Sequence, residues 1–334
     1  MKQKTNLHWG KSLISFLVVL LTMPLGHALM ITMEHIMSET ALHFAAFAMG
    51  AIGLIMVIIG VFAKHDTQQT LWGLFGGLLF WTGWVEFLLM YYANRFGALP
   101  QITNDTISTV TEYVNGIAVH SQMLLNGEPV KNIQDIKSMI LTRPEYLIMP
   151  SSFGFWAMFM MIYLFSIRSG CNFFNWCQKT IFGHRRNIIV ARPMTRHTSI
   201  VTFMQLNMMM WSCYLLLMFC YDENFLGVHH PITIFTGVGC LVGSLFIFWR
   251  QLKLSAWGSN IRMAIATVIV FWTPVEILGR MNFFNEIWVA PMHHKTEIIS
   301  ILAAFVLLAA YVAFQSVRNN KNRNKDMADT LEQK

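Results

Sequence analysis

Two stretches decide how this chain is read: FWTGWVEF, residues 80–87, and FWTPVEIL, residues 271–278. Each lies in a long apolar run, and each sets Trp-Thr a few residues before Val-Glu. A carboxylate within a membrane helix is costly and normally faces protein or water. A chain that does this twice, in nearly the same words, raises two expectations. One is a membrane fold with an internal repeat. The other is chemistry at Glu86 and Glu276.

The composition agrees with a membrane fold. The 334 residues are 55% hydrophobic and 12% charged, whereas soluble domains carry about 25% charged residues. The mean hydropathy is +0.48. Apolar stretches long enough to cross hydrocarbon fall at 12–33, 40–63, 70–94, 149–168, 198–220, 231–250, 260–280 and 296–315. The expected fold is therefore an all-α polytopic membrane protein of eight transmembrane helices in a lipid bilayer.

Charge sets the expected orientation. With odd spans running outward, the outer segments hold six of the 24 Lys and Arg: Arg95, Lys131, Lys137, Arg143, Arg280 and Lys295. The remaining 18 lie inside. Basic residues favour the cytoplasmic side, which predicts both termini in the cytoplasm of a bacterial-type inner membrane. The same partition accounts for the net charge of +7 without nucleic acid. Arg185, Arg186, Arg192 and Arg196 read as a stop-transfer flank, with contact to anionic lipid heads as the alternative. Gly26-His27-Ala28 after a basic start would fit a signal-peptide cleavage site. The apolar run continues to Met33, which favours a retained first span.

Other landmarks repeat with the two Glu motifs. Ser12 precedes His43 by 31 residues, as Ser199 precedes His230. Trp72-Gly73 and Trp257-Gly258 each precede a motif; Met149-Pro150 opens the fourth span and Ala290-Pro291 the eighth. The spacing from Trp to Glu slips by one residue between the copies. The reading is two four-span halves: residues 1–168 with an outer loop at 95–148, a basic linker at 169–197, residues 198–315, and a basic tail at 316–334. Such halves enter the membrane in the same direction and form a parallel repeat, with sites expected near the repeat interface. Within the loop, NDTISTVTEYVNGIAVHSQMLL suggests an amphipathic helix followed by a turn at Asn126-Gly127.

Eight of the twelve histidines belong to the outer half or outer loops: His27, His35, His43, His120, His229, His230, His293 and His294. Imidazole is the commonest side-chain metal ligand. His43, His229, His230, His293 and His294 stand where even-numbered spans begin, and the C-terminal half offers His229, His230, His293, His294 and Glu276 as metal ligands. His27, Met30 and Glu34 share a helix face by spacing, a set suited to copper or iron. With 24 Met in the chain, packing is the more frequent role of Met. A four-plus-four bundle with outer histidines on even spans resembles the layout of the haem A synthases, which would imply haem. The fourth span lacks the histidine of that layout, and the motifs around the others differ.

The five cysteines show no CxxC spacing. Cys171 and Cys177 fall on the inner side, and Cys213, Cys220 and Cys240 in spans, where small core residues are expected. Three functional readings follow. The leading one is a metal- or haem-dependent oxidoreductase at the outer face. In it His43, His230, His293 and His294 bind the cofactor, Glu86 and Glu276 act as ligands or proton carriers, and a lipid-soluble substrate or quinol arrives from the bilayer. The second is a proton- or cation-coupled transporter using Glu86 and Glu276. Its weak point is the small number of polar groups in the inner half of the spans, where Thr202, Gln205, Asn207 and Ser244 stand out. The third is a scaffold or assembly factor that binds partner proteins through the outer loop.

Overall fold

Among the described residues, seven helices are long and apolar enough to cross a membrane. The structure is a computed structural model and describes residues 7–95, 97, 107–114, 117–125, 128–129, 148–161, 172–183, 197–222, 225–281, 283–284, 286–288 and 291–332. The first two spans are α1 (Trp9–Ile36) and α2 (Glu39–Val61). The third runs as α3 (Asp66–Phe80), a π-helical segment Trp81–Glu86, and α4 (Phe87–Arg95). Of the expected span at 149–168, a 3-10 turn at Met149–Ser152 and α5 (Phe153–Met161) are described; 162–168 lie outside the described residues. A short helix α6 (Asn172–Phe182) precedes the spans α7 (Thr198–Tyr221), α8 (Pro231–Gln251), α9 (Trp257–Arg280) and α10 (Lys295–Glu332). Arg185, Arg186, Arg192, Arg196 and Cys171 also lie outside the described residues.

Local chemistry explains the element ends. Pro231 occupies the first turn of α8, where its missing N–H costs nothing. His230 caps that helix, its Nδ1 accepting from the Ile232 N–H at 3.2 Å. The turn before it uses Gly227 at φ +85°, a left-handed conformation that glycine adopts without steric cost.

The outer loop corrects the sequence reading. Where an amphipathic helix was expected, Ile107–Val114 (β1) and Ile117–Leu125 (β2) form an antiparallel ladder, extended by Glu128–Pro129 (β3). The physical reason is legible in hindsight. ISTVTEYV is rich in β-branched residues, and Asn-Gly at 115–116 is the strongest short hairpin signal. The turn expected at Asn126-Gly127 separates paired Leu125 and Glu128. The hairpin is confined to the outer loop, and the spans themselves are helical as expected.

The odd spans form the centre. α1 packs along α9 and α10, while α7 packs along α3, with α2 and α5 also beside it. α2 lies on α3 as α8 lies on α9, and α7 touches α9. The four inner spans are α1, α3, α7 and α9. α9 is the most enclosed: Ile261, Ala264, Ile265, Ala266 and Val268 have no exposed surface. α2, α8 and α10 instead expose apolar rows such as Ile55, Ile58 and Ile59, or Leu302, Val306 and Leu307, as lipid-facing helices do.

Two serines mirror one another at the end of the bundle that carries Lys11, Arg250, Lys253 and Arg262, here termed the basic end. Ser12 Oγ donates to the Gln251 carbonyl at 3.3 Å, tying the start of α1 to the end of α8. Ser199 Oγ donates to the Val57 carbonyl at 2.8 Å, tying the start of α7 to the end of α2. The Trp-Gly landmarks do not match in this way. Gly73 is in the second turn of α3 against Ser199 and Thr202, whereas Gly258 is at the very start of α9 against Asp66.

The α2–α3 crossing is close because both helices present glycine. A Cβ on Gly53 would meet the Gly76 carbonyl at 2.6 Å, and one on Gly76 would meet the Gly53 carbonyl at 2.6 Å. Small residues permit such backbone approach between membrane helices. Gly53→Leu is therefore expected to cost about 1–3 kcal/mol by overpacking and to lower the thermal unfolding midpoint in detergent. Gly10→Ala, with nothing within 4 Å of the added Cβ, should leave that midpoint unchanged.

Candidate functional site

The two repeated glutamates meet at one histidine. His27 Nδ1 lies 2.9 Å from Glu86 Oε1, and His27 Nε2 lies 3.9 Å from Glu276 Oε1. The Tyr214 hydroxyl is 3.3 Å from the same Nε2. These side chains come from α1, the π segment, α9 and α7, the four central spans. At 1.5 Å per residue, each lies on the order of 24–30 Å from the basic end of its span. A hydrocarbon core is about 30 Å thick, so the cluster sits toward the far end, within the apolar part of the bundle.

Aromatic groups hold the cluster in place. Trp272 Nε1 donates to Glu276 Oε1 at 2.8 Å, one helical turn apart. Trp288 covers Trp272 with ring centroids 5.0 Å apart. The Trp81 ring lies against Tyr214 at 5.5 Å and 34°. Arg280 follows Glu276 by one helical turn, but Glu276 takes the indole and the Arg280 guanidinium lies over the Tyr221 ring at 5.4 Å.

The π segment explains the one-residue slip between the motifs. A π turn is one residue wider than an α turn. It lets Glu86 follow Trp81 by one wide turn, as Glu276 follows Trp272 by one ordinary turn. The widening centres on Trp84, whose Nε1 donates to the Phe47 carbonyl at 3.0 Å and whose ring lies against Gly50.

The side chains differ in exposure. His27 is 11% exposed, Glu276 8% and Glu86 21%. Chemically, imidazole can donate from both ring nitrogens only when protonated, whereas the neutral ring has one donor and one acceptor. A histidine between two carboxylates is therefore a proton-holding arrangement. One net negative charge remains when the imidazolium and both carboxylates are charged, and two when the ring is neutral.

The other expected site residues have separate local surroundings. His43 makes edge contacts with Phe87 and Tyr91 at 5.5 and 5.1 Å. His230 caps α8, and His229 and His293 are exposed. His294 Nδ1 faces Glu297 Oε1 at 3.7 Å on the same helix. Among the described residues, no group of three or more His, Cys, Asp or Glu is arranged to hold a metal ion. The face expected from His27, Met30 and Glu34 separates. Met30 and Met33 pack in a core cluster with Leu42, Ala46 and Phe87, while Glu34 is exposed. Cys177 on α6 is free and partly buried, and burial pushes its thiol up to about 11, far from a reactive thiolate.

In the sequence His27 is one of the outer histidines and shares a helix face with Met30 and Glu34, while no motif there singles out Tyr214. The offset that takes Ser12 to Ser199 and His43 to His230 also takes His27 to Tyr214. That offset was the signal that could have found both.

The chain matches no protein-family model, no curated protein and no solved structure.

The indole bond to Glu276 has a measurable weight. A hydrogen bond to a charged group is worth about 1.5–3 kcal/mol. Trp272→Phe keeps the ring bulk and removes the donor, so it is expected to destabilise by about that amount in thermal unfolding. Trp249→Phe, at an exposed lipid-facing position, should leave the midpoint in place.

Proposed function

We propose that this chain is a proton-coupled transporter of a cell inner membrane, with Glu86, His27 and Glu276 as its proton-carrying group. The observation that carries the reading is the single imidazole set between two carboxylates inside the spans. Gain or loss of one proton there changes the charge of a largely buried cluster. In a medium of low dielectric such a change demands a response: a counter-ion, a substrate, or a rearrangement of the helices. Intramembrane carboxylates and histidines serve proton relays for this reason.

The proposal includes two four-span halves related by a two-fold axis along the membrane normal, the span at 149–168 being the eighth. Several correspondences support it. Glu86 and Glu276 approach one centre from opposite halves, and His27 and Tyr214 occupy equivalent places on the first span of each. α1 packs on α9 as α7 packs on α3, and the Ser12 and Ser199 bonds correspond. Each half thus exchanges its first span with the other. The basic end is the cytoplasmic one in this reading, as the distribution of Lys and Arg favours.

The reading of a copper-, iron- or haem-dependent oxidoreductase draws less support. His43, His230 and His294 each have a local role, and the ligand-type groups that do meet are held to one another.

The test is proton uptake by the purified protein in lipid nanodiscs on a step from mildly alkaline to mildly acidic buffer. Wild type is expected to bind a proton that Glu276→Gln and His27→Ala, inserted at normal levels, do not. Equal uptake by all three would overturn the reading. A Soret band, or stoichiometric copper or iron lost in His27→Ala, would transfer the site to the redox reading.

A further inference from the structure

The basic end of the bundle is rich in buried polar groups, contrary to the expectation from the sequence. Ser12, Thr70, Ser199, Thr202, Gln205, Gln251 and Asn260 have no exposed surface. They are not scattered. Asn260 Nδ2 donates to Ser12 Oγ at 2.9 Å, and Gln251 Nε2 donates to Asn260 Oδ1 at 2.9 Å and to the Ser12 carbonyl at 2.9 Å. This knot joins α1, α8 and α9. Beside it, Arg262 on α9 donates to both Asp66 oxygens at 3.2 Å and to Thr70 Oγ1. Asp66 Oδ1 also accepts from Thr198 Oγ1 at 3.0 Å. One carboxylate at the start of α3 thereby holds the starts of α7 and α9.

We infer that these two knots are a closed gate at the basic end, and that the Asp66–Arg262–Thr198 clasp is the part whose release opens the site to that side. The inference rests on the transporter reading for its purpose. Its physical basis is separate. Helix ends meant only to stay together are held more firmly by apolar packing, since a desolvated ion pair contributes little net stability. Polar contacts differ in one respect: water can replace them at small net cost. A seal of Ser, Asn, Gln, Asp and Arg can part and be hydrated, where a seal of Leu and Ile would expose apolar surface. The clasp is suited to this because Asp66 is already 49% exposed while Arg262 is 9% exposed, so water has access to the carboxylate first. Two further atoms lie just past the seal: Ser15 Oγ and Gln205 Oε1 are buried and have no hydrogen-bond partner among the described residues. Such atoms are normally satisfied by water, which places a hydrated step between gate and site. The site itself is less tightly closed, Glu86 keeping 21% exposure.

The test is thiol accessibility from the cytoplasmic side. Ser15→Cys is introduced into the full chain with its native cysteines replaced, and inside-out vesicles are treated with a membrane-impermeant maleimide. With the clasp intact, labelling is expected to be slow. Asp66→Asn should raise its rate about tenfold, the change in an opening equilibrium given by about 1.4 kcal/mol. Arg262→Gln should act in the same direction and serves if Asp66→Asn does not accumulate. A rate within twofold of the parent in both variants would overturn the gate. So would an equal rise at Leu217→Cys, buried near the far end of α7, since that would report general loosening. Proton uptake does not enter this measurement, so failure of the gate and failure of the proton site are distinguishable.

Discussion

The interaction on which the rest depends is the imidazole of His27 between two carboxylates in the apolar part of the bundle. Each partner alone would be costly there. Together, with the Trp272 indole on one carboxylate and the Tyr214 hydroxyl on the ring, each has a partner. The arrangement requires four spans to converge at one depth. α1, the third span, α7 and α9 are therefore the centre of the bundle, and α2, α8 and α10 are left to face lipid.

That convergence constrains the backbone locally. Five residues separate Trp81 from Glu86, but four separate Trp272 from Glu276. In a regular α-helix the extra residue would rotate Glu86 by about 100° (3.6 residues per turn), away from His27. The π segment takes up that residue within one turn. The widened turn is accommodated by Trp84, whose indole is bonded across to α2, and by Gly50, which leaves room for its ring. Irregularity in the helix and glycine in its neighbour are two sides of one adjustment.

The membrane class and seven of the expected spans were legible because length and hydropathy are properties of the helix alone. Glu86 and Glu276 were legible because carboxylates stand out in apolar runs. Their meeting was not, since which faces converge depends on packing between spans distant in sequence. His27 illustrates this. In sequence it reads as one of several outer histidines, and the packing of α1 against α9 is what sets it, and not His43 or His230, beside Glu276. The outer loop failed for another reason. Its apolar residues fit a helix or a strand in a short window, and the Asn-Gly pair at 115–116 carried more information than the periodicity did.

The polar groups at the basic end then acquire a different meaning. Read along single spans, Thr202 and Gln205 looked like isolated exceptions in apolar helices. In three dimensions both are buried at the basic end, where Thr202 Oγ1 donates to the Thr198 carbonyl and Gln205 Nε2 to the Arg262 carbonyl, beside the knot of Ser12, Gln251 and Asn260. Gln251 and Asn260 come from span ends, where the sequence is polar in any case, so their burial could not be inferred from composition. Their position matters more than their number. The His27 cluster near one end and the buried polar network near the other divide the bundle into two regions of different character. A chain that only needed to hold His27 at depth could have filled the opposite end with Ile, Val and Ala, as it filled the middle of α9. Polar groups there are intelligible where that end must at some time admit water.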